Sequence, residues 1–374
     1  MERRAFFQTG LAAGVLGVGG STALPTLLSA SPRRLPDGSV RLNANENPLG
    51  ISPAARQAII EGLDLCNRYP GASRRPLEEA LAEKHGVETK NIQLGNGSTE
   101  VLQIFVQLFG PEVRIVAADP TFEDVPRYAK AISVRLEGVP LRADYSHDLD
   151  RMREVVGKWS GPTIVYLCNP NNPTGTVTSS ADIDSWIGVA PDNVYFLIDE
   201  AYLEYAEDAP GYWSALKWVP THPNVIVVRT FSKIYGMAGM RLGYGIAHED
   251  TIERVGSIAA HNNANHLASV AALASLEDHG LIARSVDVNR RARAILEETL
   301  DDLGIERLPS HTNFLMHLIT GDQKDYRDRM SERGWLVGRD FPPMLSYNRV
   351  SFAMPDDMVR FSETLRTFRS HGWV

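Results

Sequence analysis

The chain has 374 residues, of which 43% are hydrophobic and 22% charged, a balance that supports a sizeable core and excludes a disordered chain. The length suits two domains better than one. A formal net charge of −8 gives no electrostatic support to nucleic-acid binding, and two cysteines, Cys66 and Cys168, cannot build a disulfide framework.

The first thirty residues differ from the rest. Arg3-Arg4 stands in a charged start and is followed by a mildly apolar, Gly/Ala-rich run from Leu11 to about Ala30. Paired arginines before a weakly hydrophobic stretch predict a twin-arginine export signal over residues 1–30, cleaved after Ala23 or Ala30. Such a signal is an address read by a receptor, so the expected mature protein is periplasmic and keeps no membrane contact. An uncleaved anchor or a disordered tail are the other readings, though Pro25 and the glycines oppose a stable spanning helix.

Ser31 to Gly38 reads as a linker. The polar loop Arg41 to Gly50 carries Asn43, Asn45 and Asn47, residue types that form turns, ahead of a helix near Ser52–Glu61. Asn67-Arg68-Tyr69-Pro70 is a second loop, followed by a helix from Pro76 to His85 with proline near its start. Ile92-Gln93-Leu94 is a short strand. Gly95-Asn96-Gly97-Ser98-Thr99-Glu100 then opens an apolar helix from Val101 to Phe109. A strand, a small-residue turn and a helix N-terminus make an anion site from free N–H groups, unless Ser98 or Thr99 is simply a cap.

Val113 to Ala117 is the next strand, ending in Asp119-Pro120-Thr121-Phe122. Phe122 either stacks on a planar ring or is an ordinary core aromatic. Thr163 to Cys168 runs into Asn169-Pro170-Asn171-Asn172-Pro173-Thr174-Gly175, a rigid turn able to hold an amide in one place. Val194 to Ile198 ends in Asp199-Glu200-Ala201-Tyr202, where a carboxylate either holds a pyridinium N–H or caps a helix. The β-branched run Val225-Ile226-Val227-Val228 leads to Ser232-Lys233, glycines 236, 239 and 243, and Arg241. A buried lysine beside a phosphate site points to Schiff-base chemistry with pyridoxal phosphate, where a surface lysine would mean nothing. The polar groups all follow strand ends, the place where α/β sheets bind ligands.

From Thr251 the chain turns helical. Ala268 to Glu277 is apolar, and Val286 to Leu303 is amphipathic with Arg290, Arg291 and Arg293 on a solvated face. His261 and His266 read as polar residues at a helix start. Short strands at Thr312–Met316, Trp335–Asp340 and Tyr347–Phe352, then a helix from about Asp356 to Ser370, form a smaller α/β unit expected to pack with residues 39–66.

Gly-Asn-Gly-Ser-Thr-Glu, Asp-Pro-Thr-Phe, Asn-Pro-Asn-Asn-Pro-Thr-Gly, Asp-Glu-Ala-Tyr and Thr-Phe-Ser-Lys…Ala-Gly-Met-Arg-Leu-Gly-Tyr together resemble the class I/II aminotransferases of PLP fold type I, and within them the histidinol-phosphate branch. The likeness runs from about Arg41 to the C-terminus. It implies an α/β fold with a large domain (68–265) built on a mostly parallel seven-stranded sheet, a smaller C-terminal domain (266–374), and residues 31–67 packed with the latter.

The resemblance also implies roles. Lys233 is the residue that binds the cofactor covalently and shuttles the proton. Asp199 is the carboxylate on the ring nitrogen. Asn172 and Tyr202 face the ring oxygen, and Phe122 stacks on the ring. Gly97, Ser98, Thr99, Ser232 and Arg241 cup the phosphate, and Tyr69 reaches the cofactor of the other subunit of a homodimer. Arg349, Asn313, Asn47 and Arg339 face the substrate. The implied substrates are an amino acid and a 2-oxo acid.

One departure bears on the donor. The family's Val-Arg-Asp arginine for the substrate phosphate has its counterpart in Val337-Gly338-Arg339-Asp340, with a glycine inserted. That insertion and the predicted export favour an amino-acid donor over histidinol phosphate. A decarboxylase or oxidase on the same fold and a non-enzymatic PLP binder are further alternatives. No His/Cys/carboxylate cluster with metal-ligand spacing stands in the sequence.

Overall fold

The structure, a computed structural model, describes residues 37–374. The predicted export signal lies outside the described residues. Strand β1 (Val40–Arg41) opens the described chain. The central sheet holds β2 (Ile92–Gly95), β3 (Arg114–Asp119), β4 (Arg135–Pro140), β5 (Thr163–Cys168), β6 (Val194–Asp199), β7 (Val225–Thr230) and β8 (Gly243–Ala247). Their order is β2-β8-β7-β6-β5-β3-β4. All neighbours from β7 to β4 run parallel, whereas β8 is antiparallel to both β7 and β2.

Every residue of β5 and β7 is buried, as expected where helices cover both faces of a parallel sheet. The strand period of two divides these side chains between two cores. Val165, Leu167, Phe196, Ile198, Val225 and Val227 enter one. Ile164, Tyr166, Cys168, Leu197, Ile226 and Val228 enter the other, with Val101 and Phe105 of the helix Ser98–Gln107. Asp199 continues the second face, two residues beyond Leu197.

The C-terminal part adds β9 (Phe314–Leu318), β10 (Trp335–Leu336) and β11 (Tyr347–Ser351). β11 pairs antiparallel with β9, and β10 pairs parallel with β1. Leu42, Leu296, Leu315, Phe361 and Phe368 are enclosed in one core here, so the segment after β1 is tied to the C-terminal part as β1 is to β10. The helix His266–Glu277 lies elsewhere: its Ala268, Ala271 and Ala272 belong to the core of the large sheet.

The local signals explain most boundaries. Ser52 caps the helix Pro53–Gly62 by accepting from Ala55 N–H, with proline in the first turn. The next helix, Gly71–His85, starts ahead of Pro76, which lies inside it.

Candidate active site

The site gathers at the carboxyl ends of β5, β6 and β7 and at the N-terminus of the helix Ser98–Gln107. Gly97 precedes that helix at φ +85°, a left-handed value natural to glycine. A Cβ at Gly97 would stand 2.3 Å from Arg241 Nη2. Glycine therefore lets the guanidinium lie against the helix start, where unpaired N–H groups and the dipole favour an anion. The Thr99 hydroxyl donates to Asp124 Oδ2 at 2.5 Å, so Thr99 offers this cup its backbone N–H rather than its hydroxyl. Ser232 is 8% exposed, and its N–H donates to Thr230 Oγ1 at 3.0 Å. Arg241 itself is exposed and left-handed, with Nη1 donating to Ala238 O at 3.0 Å.

Asp199 is 1% exposed. Burial pushes its carboxyl up to about 6, against the lowering effect of hydrogen bonds from Tyr166 and Ala201. Lys233 lies past β7. Its Nζ donates to Asn45 O at 3.2 Å and sits 5.7 Å from the centroid of the Tyr202 ring. Burial, then the Arg349 charge, brings the Lys233 amine down to about 8, within reach of a neutral, nucleophilic form.

Tyr202 Oη accepts from Asn45 Nδ2 at 3.0 Å and from Asn172 Nδ2 at 3.4 Å. Burial raises its pKa, so the phenol stays protonated and free to donate its hydrogen elsewhere. Arg349, on β11, donates through Nη1 to Asn172 Oδ1 at 2.6 Å and through Nη2 to Asn43 O at 3.1 Å. Its buried Nε has no partner, nor has buried Asn313 Oδ1. Unpartnered buried polar atoms are costly, and here they mark a place for a ligand. Asn313 Nδ2 donates to Asn45 O at 3.0 Å.

Some expectations need correction. Asn47 is not presented to a substrate. Its Nδ2 donates to Ile234 O at 2.8 Å and Ser285 Oγ at 2.9 Å, while Oδ1 accepts from Leu49 N–H, so it clamps the segment after Lys233. The inserted Gly338 does not carry Arg339 away from the site. Gly338 N–H donates to Arg349 O at 2.9 Å, and a Cβ there would stand 2.4 Å from that oxygen. Glycine thus allows close approach to β11. Arg339 and Arg349 both pack on the Phe341 ring, with Cζ atoms 4.4 and 4.5 Å from its centroid. Arg339 also pairs with Glu123 at 2.7 Å, beside half-buried Phe122. Tyr69 is 83% exposed.

Two contributors were not singled out from sequence. Asn45, left-handed at φ 53°, links Lys233, Tyr202 and Asn313. Tyr166 donates to Asp199. Asparagine adopts αL more readily than most non-glycine residues, a signal for Asn45, but three asparagines share that loop.

The donor set fits pyridoxal phosphate: an amine, a buried carboxylate for a ring nitrogen, an amide and phenol for a ring oxygen, and a helix-start cup for phosphate. The chain belongs to the aminotransferase class I and II family, whose model matches residues 37–360. It is a pyridoxal-phosphate-dependent aminotransferase of PLP fold type I. Histidinol-phosphate aminotransferase 1 of Nitrosococcus oceani is 36% identical over 336 residues, 88% of this chain and 89% of that protein. The histidinol-phosphate aminotransferase of Halalkalibacterium halodurans is 37% identical over 299 residues, 80% of each. The crystal structure of the Sinorhizobium meliloti histidinol-phosphate aminotransferase in complex with pyridoxal-5'-phosphate superposes with a TM-score of 0.83 at 26% identity, covering 94% of this chain and 99% of that one.

Proposed function

We propose that the enzyme moves an amino group from histidinol phosphate to a 2-oxo acid. The observation that carries this is the pair of guanidinium groups on Phe341: Arg349, buried with a free Nε, suits the carboxylate of the acceptor, and Arg339 suits a phosphate. The names of the relatives support the same donor, against the preference for an amino acid drawn from the sequence.

Pyridoxal phosphate, when bound, supplies an aldehyde carbon that condenses with amines and a ring that takes up the electron pair released at the substrate carbon. Asp199 would keep a proton on the ring nitrogen. Asn172 and Tyr202 would donate toward the ring oxygen. The N–H groups after Gly97, with Ser232 and Arg241, would hold the phosphate, and Phe122 would stack on the ring. Lys233, near pKa 8, takes a proton from the substrate carbon and returns it, general acid–base work suited to that value. Asn313 and Arg349 orient the acceptor carboxylate.

An amino-acid donor is the second reading, favoured by the Arg339–Glu123 ion pair, which occupies the second guanidinium. Single-turnover assays with histidinol phosphate and a panel of amino acids, read by conversion of the cofactor to its amine form, separate the two. The phosphoester should lead in kcat/KM by an order of magnitude or more; an amino acid leading by that margin overturns the first reading.

We also propose a homodimer. Ile60, Leu63, Leu65 and Tyr69 are exposed apolar side chains within one short segment, a strip suited to a second copy. Tyr69 would then serve the partner's cofactor. A monomeric mass by light scattering would remove this. Export to the periplasm remains the reading of Arg3-Arg4 and the run after it, tested by whether the protein in the periplasmic fraction lacks residues 1–30.

A further inference from the structure

The Asp199 carboxylate has one protein donor on each oxygen. Ala201 N–H donates to Oδ1 at 3.1 Å, and the Tyr166 hydroxyl donates to Oδ2 at 3.1 Å. Tyr166 stands in β5 two residues before Cys168, which is the registered partner of Asp199 on β6. Alternation puts Tyr166, Cys168, Leu197 and Asp199 on one face of the sheet. From that position the phenol reaches along the face to the carboxylate. The ring is 0% exposed, enclosed among Leu197, Val228 and Phe105 of the same core. Burial and the neighbouring carboxylate raise the Tyr166 pKa well above 10, so the hydroxyl can act only as a donor toward an ionised Asp199.

We propose that Tyr166 is a positioning residue for the cofactor: by holding Oδ2 it turns the remaining lone pairs of Asp199 toward the ring nitrogen and keeps the carboxylate ionised in an apolar wall. A hydroxyl in a run of Thr-Ile-Val-Tyr-Leu-Cys has no packing reason to be there, since phenylalanine would fill the space equally well and bring no buried polar atom. Removing the donor leaves the charge with burial and one backbone N–H. Its proton affinity then rises, and the ring nitrogen loses part of its partner.

This rests on the pyridoxal phosphate site above. The experiment is Tyr166→Phe in the full-length holoenzyme. Expected is about a tenfold rise in the cofactor dissociation constant and about a tenfold fall in kcat, with KM for both substrates within about twofold of wild type. The acid limb of the kcat–pH profile moves to higher pH. On an Asp199→Asn background, Tyr166→Phe should change cofactor affinity little, because the two effects share one hydrogen bond. A lowered thermal midpoint with wild-type cofactor affinity and an unmoved pH profile would overturn the proposal, as would an undiminished effect on the Asp199→Asn background. A wild-type protein that fails to bind pyridoxal phosphate at all would instead sink the reading of the site.

Discussion

Arg349 Nη1 donates to Asn172 Oδ1 at 2.6 Å, which joins the residue proposed for the substrate carboxylate to one proposed for the cofactor. With Oδ1 held, the amide can present only N–H groups to its other neighbours, and one of these points to Tyr202 Oη. The two residues are brought together by β11 and by the turn after β5. Arg349→Gln should therefore do two things. KM for the 2-oxo acid should rise about ten- to a hundredfold, the size of one charged hydrogen bond. In addition kcat should fall, because Asn172 loses its orientation. Steady-state kinetics with the acceptor varied separate the two, and a change confined to KM would mean the amide does not depend on Arg349.

Asp199→Asn removes the charge while keeping the shape. A neutral amide can accept from a protonated ring nitrogen but lacks the charge that keeps it protonated, so turnover should fall by about a hundredfold or more. Cofactor should still bind through the phosphate cup. Rapid-mixing measurement of the half-reaction checks this, and wild-type rates would remove the electron-sink role assigned to the carboxylate.

Gly97→Ala should strike the phosphate cup. The new Cβ would stand 2.3 Å from Arg241 Nη2 at a backbone φ of +85°, so either the arginine or the turn must shift. Cofactor affinity should drop by about tenfold or more, read by titration of the apo protein and fluorescence quenching. Unchanged affinity would show that Arg241 takes no part in anion binding.

The half-buried, desolvated Lys233 predicts a pH dependence of apo-protein stability. Its pKa falls from 10.5 in the unfolded chain to about 8 in the fold. A depressed value contributes stability that is present above 10.5 and lost as pH falls through about 8. In that window the unfolded state binds more protons, so stability rises with pH. The loss amounts to about 3 kcal/mol at most. Urea unfolding of the apo protein at pH 8 and pH 10.5, compared with Lys233→Met, should show the wild type gaining relative to the variant at high pH. Parallel behaviour of the two would mean that the amine is not desolvated.

Much of the sheet that positions this site is legible in the sequence. The predicted run Thr163–Cys168 coincides with β5, and Val194–Ile198 and Val225–Val228 fall within β6 and β7, because uninterrupted apolar runs are what a doubly covered strand requires. β4 was not foreseen: most of Arg135–Pro140 is exposed at the sheet edge and includes Gly138 and Pro140. β8 was hidden inside a glycine-rich motif. The roles of Asn45 and Tyr166 depend on contacts between distant segments. Nothing local distinguishes Asn45 from Asn47, although one faces Tyr202 and the other clamps Ile234. Tyr166 looks like one more apolar residue until the register sets Cys168 opposite Asp199. The glycine inserted before Arg339, which in the sequence weighs against a phosphate donor, is what admits the close approach to β11.

The most direct measurement is reduction of the pyridoxal-phosphate-loaded protein with borohydride, followed by peptide mapping. A single labelled peptide carrying the cofactor on Lys233 is the predicted result. Label on another lysine, or none in protein that has bound the cofactor, would contradict the assignment of Lys233 on which the site is built.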